Sequence, residues 1–354
     1  MNSKALKADI LLLITACIWG FGFVAQRAGM EHIGPFAFNG IRFLLGTLPL
    51  LPFIVVRRKK GISAAPLRGL LMPSFAAGAC LFVAVLLQQL GIMFTTAGHA
   101  GFITGLYVVL TPIFGIFLGR KTGKATWLGC LFTITGLYFI STAGSGQGGS
   151  HGFGQMNPGD IIIIISAFFW AAHVLLIDRL VQGAPSQHGG KESVGQRLDP
   201  VELSAGQFVV CGFFALAGAF FLEPYLAAII AGIDYSWLEI GLFTWLPFPA
   251  LLESLTQGGG GLPAGALVTI LYGGLVSVGI AYTLQVIAQR EAPPAHATII
   301  LCLEGSFAAL GGVLLLSERI GAQSLLGFAL MLLGMIVTQW EVIIKAGGEK
   351  VKKH

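Results

Sequence analysis

The sequence predicts an all-α membrane protein: ten transmembrane helices arranged as two inverted five-helix repeats. Three observations carry that prediction. Hydrophobic residues make up 55% of the 354-residue chain and charged residues 10%, against about 25% charged in soluble domains. No Asp, Glu, Lys or Arg occurs between Arg68 and Arg120, and only a bilayer covers so long an apolar stretch. The pattern of the first half also returns in the second at regular offsets. The apolar runs are continuous where a β-barrel would alternate.

Ten spans cover about residues 9–28, 35–56, 69–92, 96–119, 125–143, 160–181, 200–223, 263–289, 293–316 and 322–343. The opening MNSKALKAD places basic residues before an apolar run. No small-residue cleavage site follows, so the run is read as a retained first helix. With the N-terminus inside, eighteen Lys and Arg fall in inner loops. Only Arg27 and Arg319 fall outside, and Arg42 lies within a span. The positive-inside rule then places both termini in the cytoplasm, in a bacterial cytoplasmic (inner) membrane. The net charge of +5 is explained by those loops, so no nucleic acid is expected; the expected partners are the bilayer and a small-molecule substrate. The protein is expected as a monomer or homodimer. The five cysteines, at 17, 80, 130, 211 and 302, sit in apolar runs without metal spacing and read as small core residues. The fifty glycines suit close helix contact.

The repeat is read from offsets. Asp9–Gly20 aligns with Asp160–Ala171 at a shift of 151, bringing Trp19 onto Trp170. Pro35–Phe43 aligns with Pro200–Phe208 at 165, bringing Arg42 onto Gln207. Thr95–Lys121 aligns with Ala292–Glu318 at 197, which puts His99 on His296, Ile103 on Ile300 and Tyr107 on Glu304. Gly129 and Gly136 match Gly327 and Gly334 at 198. The units are therefore 1–150 and 151–354, the second enlarged by insertions near 182–197 and 224–261. Five spans per copy is an odd number, so the copies sit upside down relative to each other, as in many secondary transporters with a midplane site. The insertion at 224–261 is aromatic and acidic, without Lys or Arg. It reads as an outer interfacial loop or as a lid.

The two copies resemble the EamA domains of the drug/metabolite transporter superfamily, over about residues 9–142 and 160–343. The resemblance rests on the Trp19 helix, Pro35 with Arg42, and the Thr95–Arg120 span with Leu110-Thr111-Pro112-Ile113-Phe114. In the second copy it rests on Tyr282-Thr283-Leu284-Gln285, Pro294-Ala295-His296-Ala297, Leu303-Glu304-Gly305, Leu314–Glu318 and the Gly327–Gly334 helix. Gly305 stands where the family commonly has a proline after the glutamate. The resemblance implies ten helices with cytoplasmic ends, and movement of small metabolites, often export of amino acids or related compounds.

The residues themselves suggest a site. His99, Ile103 and Tyr107, and again His296, Ile300 and Glu304, fall four apart and form a polar-tipped stripe on each helix. Glu304 lies mid-span, where a carboxylate costs about 2.5–3.5 kcal/mol and must face the bundle or water. It reads either as a proton carrier or as a neutral, hydrogen-bonded glutamate. Arg42 reads as the holder of an anionic group or as a paired structural arginine. His99 and His296 read as pH sensors or structural histidines. Trp19, Phe23 and Gln26 share a face, as do Trp170 and His173, and Tyr282 and Gln285. Aromatics with amides suit an amphiphilic pocket, and Gln207 occupies the position matching Arg42. Gln88 and Gln89 cannot both face inward; Gln89 is taken as the inward one.

No cofactor or metal is expected. Gly144–Gly149 matches GxGxxG without a βαβ setting, and Gly119–Ala125 lacks Walker A spacing. The expected function is therefore a secondary transporter, an exporter of small metabolites and not an enzyme, working by alternating access and coupled to protons in one version. The alternatives are a lipid-modifying intramembrane protein, for which no catalytic constellation is visible, and a metabolite channel.

Overall fold

The computed structural model describes residues 3–61, 66–119, 122–142, 158–182, 198–226, 264–317, 321–323, 325–334 and 337. The glycine loop at 144–149, nearly all of the 224–261 insertion and Glu318 with Arg319 lie outside the described residues. Eight helical spans are long and apolar enough to cross a bilayer: Leu6–Gly29, Pro35–Lys59, Arg68–Ile92, Ala97–Phe117, Pro158–Gln182, Pro200–Phe221, Gly265–Ala288 and His296–Leu316. They coincide with eight of the spans drawn from the sequence. The fifth drawn span corresponds to the helix Lys124–Thr142. Of the tenth, Leu325–Gly334 is described as helix. The chain is a multi-pass helical membrane protein.

Several spans are not single helices. The first is α1 (Ser3–Gly29). The second divides at Pro49 into α2 (Pro35–Thr47) and α3 (Leu50–Lys59), because proline removes a backbone donor and crowds the preceding turn. The third is α4 (Leu67–Ile92), the fourth α5 (Ala97–Thr104) and α6 (Tyr107–Phe117), the fifth α7 (Lys124–Thr142). Then come α8 (Pro158–Gln182) and α9 (Pro200–Phe221). The eighth span runs from α10 (Ala264–Leu271) through a π-helical segment, Tyr272–Tyr282, into α11 (Thr283–Ala288). The ninth is α12 (Pro294–Leu301) and α13 (Glu304–Leu316).

The polar-tipped stripes expected along continuous fourth and ninth helices are thus interrupted, and at matching places. In the fourth span Leu106 N–H donates to Ile103 O and Val108 N–H to Gly105 O. In the ninth, Leu303 N–H donates to Ile300 O and Gly305 N–H to Cys302 O. Each bond is displaced from its counterpart by the same 197 positions found in the sequence. Both breaks tighten to i→i+3 pairing, which satisfies carbonyls that a ragged break would leave bare. The ninth span breaks without a proline after Glu304.

The bundle is organised by close crossings. α4 packs on α8 and α9, α2 on α9 and the π segment, and α1 on α13, which also packs on α5. Where α5 meets α13, a Cβ on Gly101 would lie 3.1 Å from Gly305 Cα, so the backbones all but touch. The π segment offers carbonyls to α1: Trp19 Nε1–H donates to Ser277 O at 3.2 Å and Thr15 Oγ1–H to Ala281 O at 3.3 Å. At the end carrying the basic residues, Asp199 caps α9 by accepting from Val201 N–H at 3.0 Å and Glu202 N–H at 3.3 Å. There Arg57 pairs with Asp199 and Arg58 with Glu202, joining the end of α3 to the start of α9.

At Gly20 the α1–α13 crossing leaves no room for a side chain. A Cβ there would overlap Phe307 Cβ and lie 2.7 Å from Glu304 O. Gly20→Ala is expected to cost about 1–3 kcal/mol through overpacking, read as a lower melting temperature of the purified protein. Gly69→Ala, whose Cβ meets nothing nearer than 3.7 Å, is the matched control and should melt as wild type.

Candidate functional site

A narrow cavity lies between α1, α2, α4, α8, the π segment and the two broken spans, with about 430 Å³ of empty space including its mouth. Its walls hold Trp19, Phe23, Gln26, Arg42, Tyr107, Trp170, Tyr282, Gln285 and Glu304 from among the residues the sequence singled out. Gln88, Thr104, Val174, Ser277 and Leu301 also line it. The breaks put Tyr107 and Glu304 at the first positions of their half-helices. Tyr107 Oη and the Glu304 carboxyl are near neighbours, yet the hydroxyl closes no hydrogen bond of ordinary geometry.

Three aromatic rings form one wall. Tyr282 packs against Trp19 with centroids 4.5 Å apart and stacks on Trp170 at 6.0 Å; Trp19 and Trp170 are 6.2 Å apart. The sequence offset of 151 pairs these two tryptophans, and in space they flank the same tyrosine. Opposite chemistry comes from α2. Arg42 is 2% exposed, donates from Nε to Asn39 Oδ1 at 2.9 Å, and sits 5.4 Å and 5.2 Å from the ring centres of Phe38 and Phe43. Cation–π contact and one amide offset part of its burial. Among the described residues no carboxylate lies within ion-pair distance of Arg42, and no cation within that distance of Glu304. The wall also carries buried polar atoms without partners: Gln26 Oε1, Trp170 Nε1, Tyr107 Oη, and both Nε2 and Oε1 of Gln285.

Five candidates do not line the cavity. Gln89 is fully buried and donates from Nε2 to Gln26 O at 3.4 Å. Its neighbour Gln88 is the one on the cavity, bonded through Nε2 to Thr104 Oγ1 at 3.0 Å. Adjacent helix positions are about 100° apart, so one amide excludes the other. His173 Nε2 and Gln207 Oε1 are 2.8 Å apart, joining α8 to α9 behind Trp170. His296 Nε2 meets Asp9 Oδ1 at 2.7 Å, tying α12 to the start of α1 at the basic end. His99 is part-exposed in the first turn of α5, its N–H held by Thr96 Oγ1 at 3.1 Å. Both stripe histidines are thus two helical turns from Tyr107 and Glu304, at span ends. Of the lining residues that were missed, Thr104 and Leu301 lie three before Tyr107 and Glu304, and Val174 four after Trp170, so helical spacing was an available signal. Ser277 was not accessible to that logic, because a π turn shifts the register.

The sequence pattern of the EamA-like transporter family matches residues 6–142 and 157–340. An uncharacterized transporter of Archaeoglobus fulgidus is 33% identical over 175 residues, 49% of this chain and 50% of its own. The uncharacterized inner membrane transporter YedA of Escherichia coli K12 is 27% identical over 57% of this chain and 67% of its own. A probable amino-acid metabolite efflux pump of Salmonella typhimurium is 27% identical over 51% of this chain and 56% of its own. The chain therefore spans about half the length of the archaeal relative. A crystal structure at 15% identity covers 93% of this chain and 95% of its own with a TM-score of 0.64, a likeness of fold.

Gln285 is 0% exposed with both amide atoms unpaired, so it weakens the fold while offering two hydrogen bonds. Gln285→Leu is expected to raise the melting temperature, by about 1–2 kcal/mol of relieved desolvation. Gln88→Leu, which breaks the bond to Thr104, should lower it; thermal denaturation of both variants checks the pair.

Proposed function

This chain belongs to the EamA-like transporter family, and from that premise we propose that it is a secondary carrier of small metabolites, exporting amino acids or related compounds. The observation that supports this most is that Arg42 and Glu304 line one cavity without meeting a partner of opposite charge among the described residues. A buried charge left unpaired costs several kcal/mol. A small molecule with an anionic and a cationic group meets both demands at once, its carboxylate on the guanidinium and its ammonium on the carboxylate. Trp19, Trp170 and Tyr282 then receive an apolar side chain, and the unpaired Gln285, Tyr107 and Trp170 atoms supply polar contacts. The name of the Salmonella relative, an amino-acid metabolite efflux pump, agrees with this chemistry.

Two discontinuous helices at matching positions support the reading of a carrier whose halves rock about a midplane site. In this reading the halves are inverted copies, both termini are cytoplasmic, and the end with Arg57 and Arg58 faces inward. Glu304 can hold either a proton or the substrate's ammonium, so uptake of one releases the other; this is the form proton exchange takes here.

Saturable counterflow of labelled amino acids in proteoliposomes tests the reading, after thermal-shift screening has chosen the substrate. A real ligand stabilises by RT ln(1 + [L]/Kd). Glu304→Gln is expected to fold and to lose pH-driven flux, and a wild-type rate would remove its proton role. Arg42→Gln is expected to weaken binding by about 1.5–3 kcal/mol, roughly tenfold or more in Kd. Linear, unsaturable flux would instead indicate a channel.

A further inference from the structure

At the end of the bundle away from Arg57 and Arg58, α2 begins with a bare cap. Gly34 precedes it in extended conformation, φ −64° and ψ 159°, with no side chain to serve the first N–H groups. That role falls to Glu223, just past the end of α9. Its Oε1 accepts from Phe36 N–H at 2.9 Å and Ala37 N–H at 3.4 Å. The approach needs glycine, since a Cβ on Gly34 would fall on the Glu223 carboxyl. Glu223 is 1% exposed, and its Oε2 is buried without a partner.

The offset that relates α2 to α9 makes this contact informative. At 165 positions Arg58 corresponds to Glu223, and Ala37 to Glu202. At one end of the second span and α9, where α3 meets the start of α9, the junction is an ion pair, Arg58 with Glu202. At the other, the arginine position holds a carboxyl and the glutamate position holds an alanine. No described cation pairs with Glu223. Its contacts on α2, Phe36 and Ala37, carry no titratable side chain, and the titratable groups of the adjoining segments are Glu31 and His32 in the turn before α2 and Tyr225 after Glu223. Residues 224–261 contain no Lys, Arg or His either. A helix N-terminus favours an ionised carboxyl by about 0.3–1 kcal/mol. Burial with one oxygen unserved opposes it by more.

We propose that Glu223 is a proton-dependent clasp between α2 and α9: neutral and seated when this end of the cavity is closed, ionised when it opens. Opening releases one proton and closing takes one up. The clasp is linked to the cavity because Arg42 lies six residues further along α2, about 9 Å at 1.5 Å per residue. Consistent with this, burial pushes the carboxyl up to about 7, against the smaller downward pull of the two N–H groups. The sign follows. A carboxyl raised in the closed state and ordinary in the open one stabilises closure at low pH, and that stabilisation is lost as pH rises through about 7. The inference does not depend on which substrate is carried, because it is read from conformation and not from flux.

The test is amide hydrogen exchange of the full chain in lipid nanodiscs, corrected for intrinsic rates, over the peptides containing Phe36–Ala37 and the end of α9. From pH 6 to pH 8.5 wild type is expected to lose protection there by about tenfold, the proton linkage between a carboxyl near 7 and one at its ordinary value. Peptides holding Arg58 and Glu202 should show no such trend. Glu223→Gln, which keeps a neutral acceptor, should hold its protection at both pH values. Gly34→Ala, which displaces the carboxyl, should be unprotected at both. A wild-type end whose protection does not change with pH, or a Glu223→Gln variant that follows the wild-type trend, overturns the proposal. Should Glu223→Gln fail to fold, the wild-type and Gly34→Ala profiles decide it alone.

Discussion

A peptide group without a partner in hydrocarbon costs several kcal/mol, so a helix interrupted at mid-bilayer persists only where the interruption is enclosed or wetted. Besides the division at Pro49, two described spans are interrupted at matching places, Gly105–Leu106 and Cys302–Leu303, and the rest of the bundle is arranged to make that tolerable. The i→i+3 bonds recover part of the lost pairing. The contact of Gly101 with Gly305 brings the two broken spans together, closing one side. What stays open is the cavity, and the breaks put Tyr107 and Glu304 on it at half-helix N-termini. The partial positive charge of such a terminus favours an ionised carboxylate.

The second feature that depends on this arrangement is the difference between the two ends. If the breaks hold the centre, opening must come from the ends, where α2 and α9 run together. At the basic end the junction is ionic and made by α3, the continuation of α2 past Pro49, with Asp199 and Glu202 held by Arg57 and Arg58. Such a junction weakens with salt more than with pH near neutrality. At the other end a carboxyl is set on backbone N–H groups, a junction whose strength follows proton concentration. The two ends of this helix pair thus carry different chemistry.

Much of the fold was legible because a bilayer makes a simple demand. Length and continuous apolarity place spans, and eight of those drawn coincide with helices to within a few residues. The site was legible where helical spacing survives. Trp19, Phe23 and Gln26 share a wall as their spacing requires, and Tyr107 and Glu304 meet as the offset of 197 suggests. Reading failed where local backbone departs from α geometry. Helical spacing puts His99 and His296 on one stripe with Tyr107 and Glu304, but each lies two turns away at a span end, held by contacts off the cavity. The π segment re-registers the eighth span and delivers Ser277, which no 3.6-residue period selects. Choosing between Gln88 and Gln89 required the neighbours, since both are amides and differ only in which way the helix turns. The role of Glu223 was invisible because it depends on the absence of a side chain at Gly34, nearly 190 residues away in sequence.

The distribution of unpaired polar atoms shows what the bundle is built to tolerate. A protein selected only for stability would fill the space beside Tyr282 with aliphatic side chains. Here Gln285 contributes two buried groups with no partner and Trp170 one, on the helices of the second half, while Gln26 and Tyr107 contribute one each from the first. Each such group costs about 1–3 kcal/mol in the empty state. For these five atoms the cost falls where a polar ligand can refund it, around a cavity that also holds Arg42 and Glu304 without a partner of opposite charge among the described residues. A site of this kind binds by relieving its own strain, so affinity and conformational closure draw on the same free energy. In the proposed carrier that is the coupling required: a loaded cavity would close and reopen at the other end more easily than an empty one, and net movement would follow the substrate.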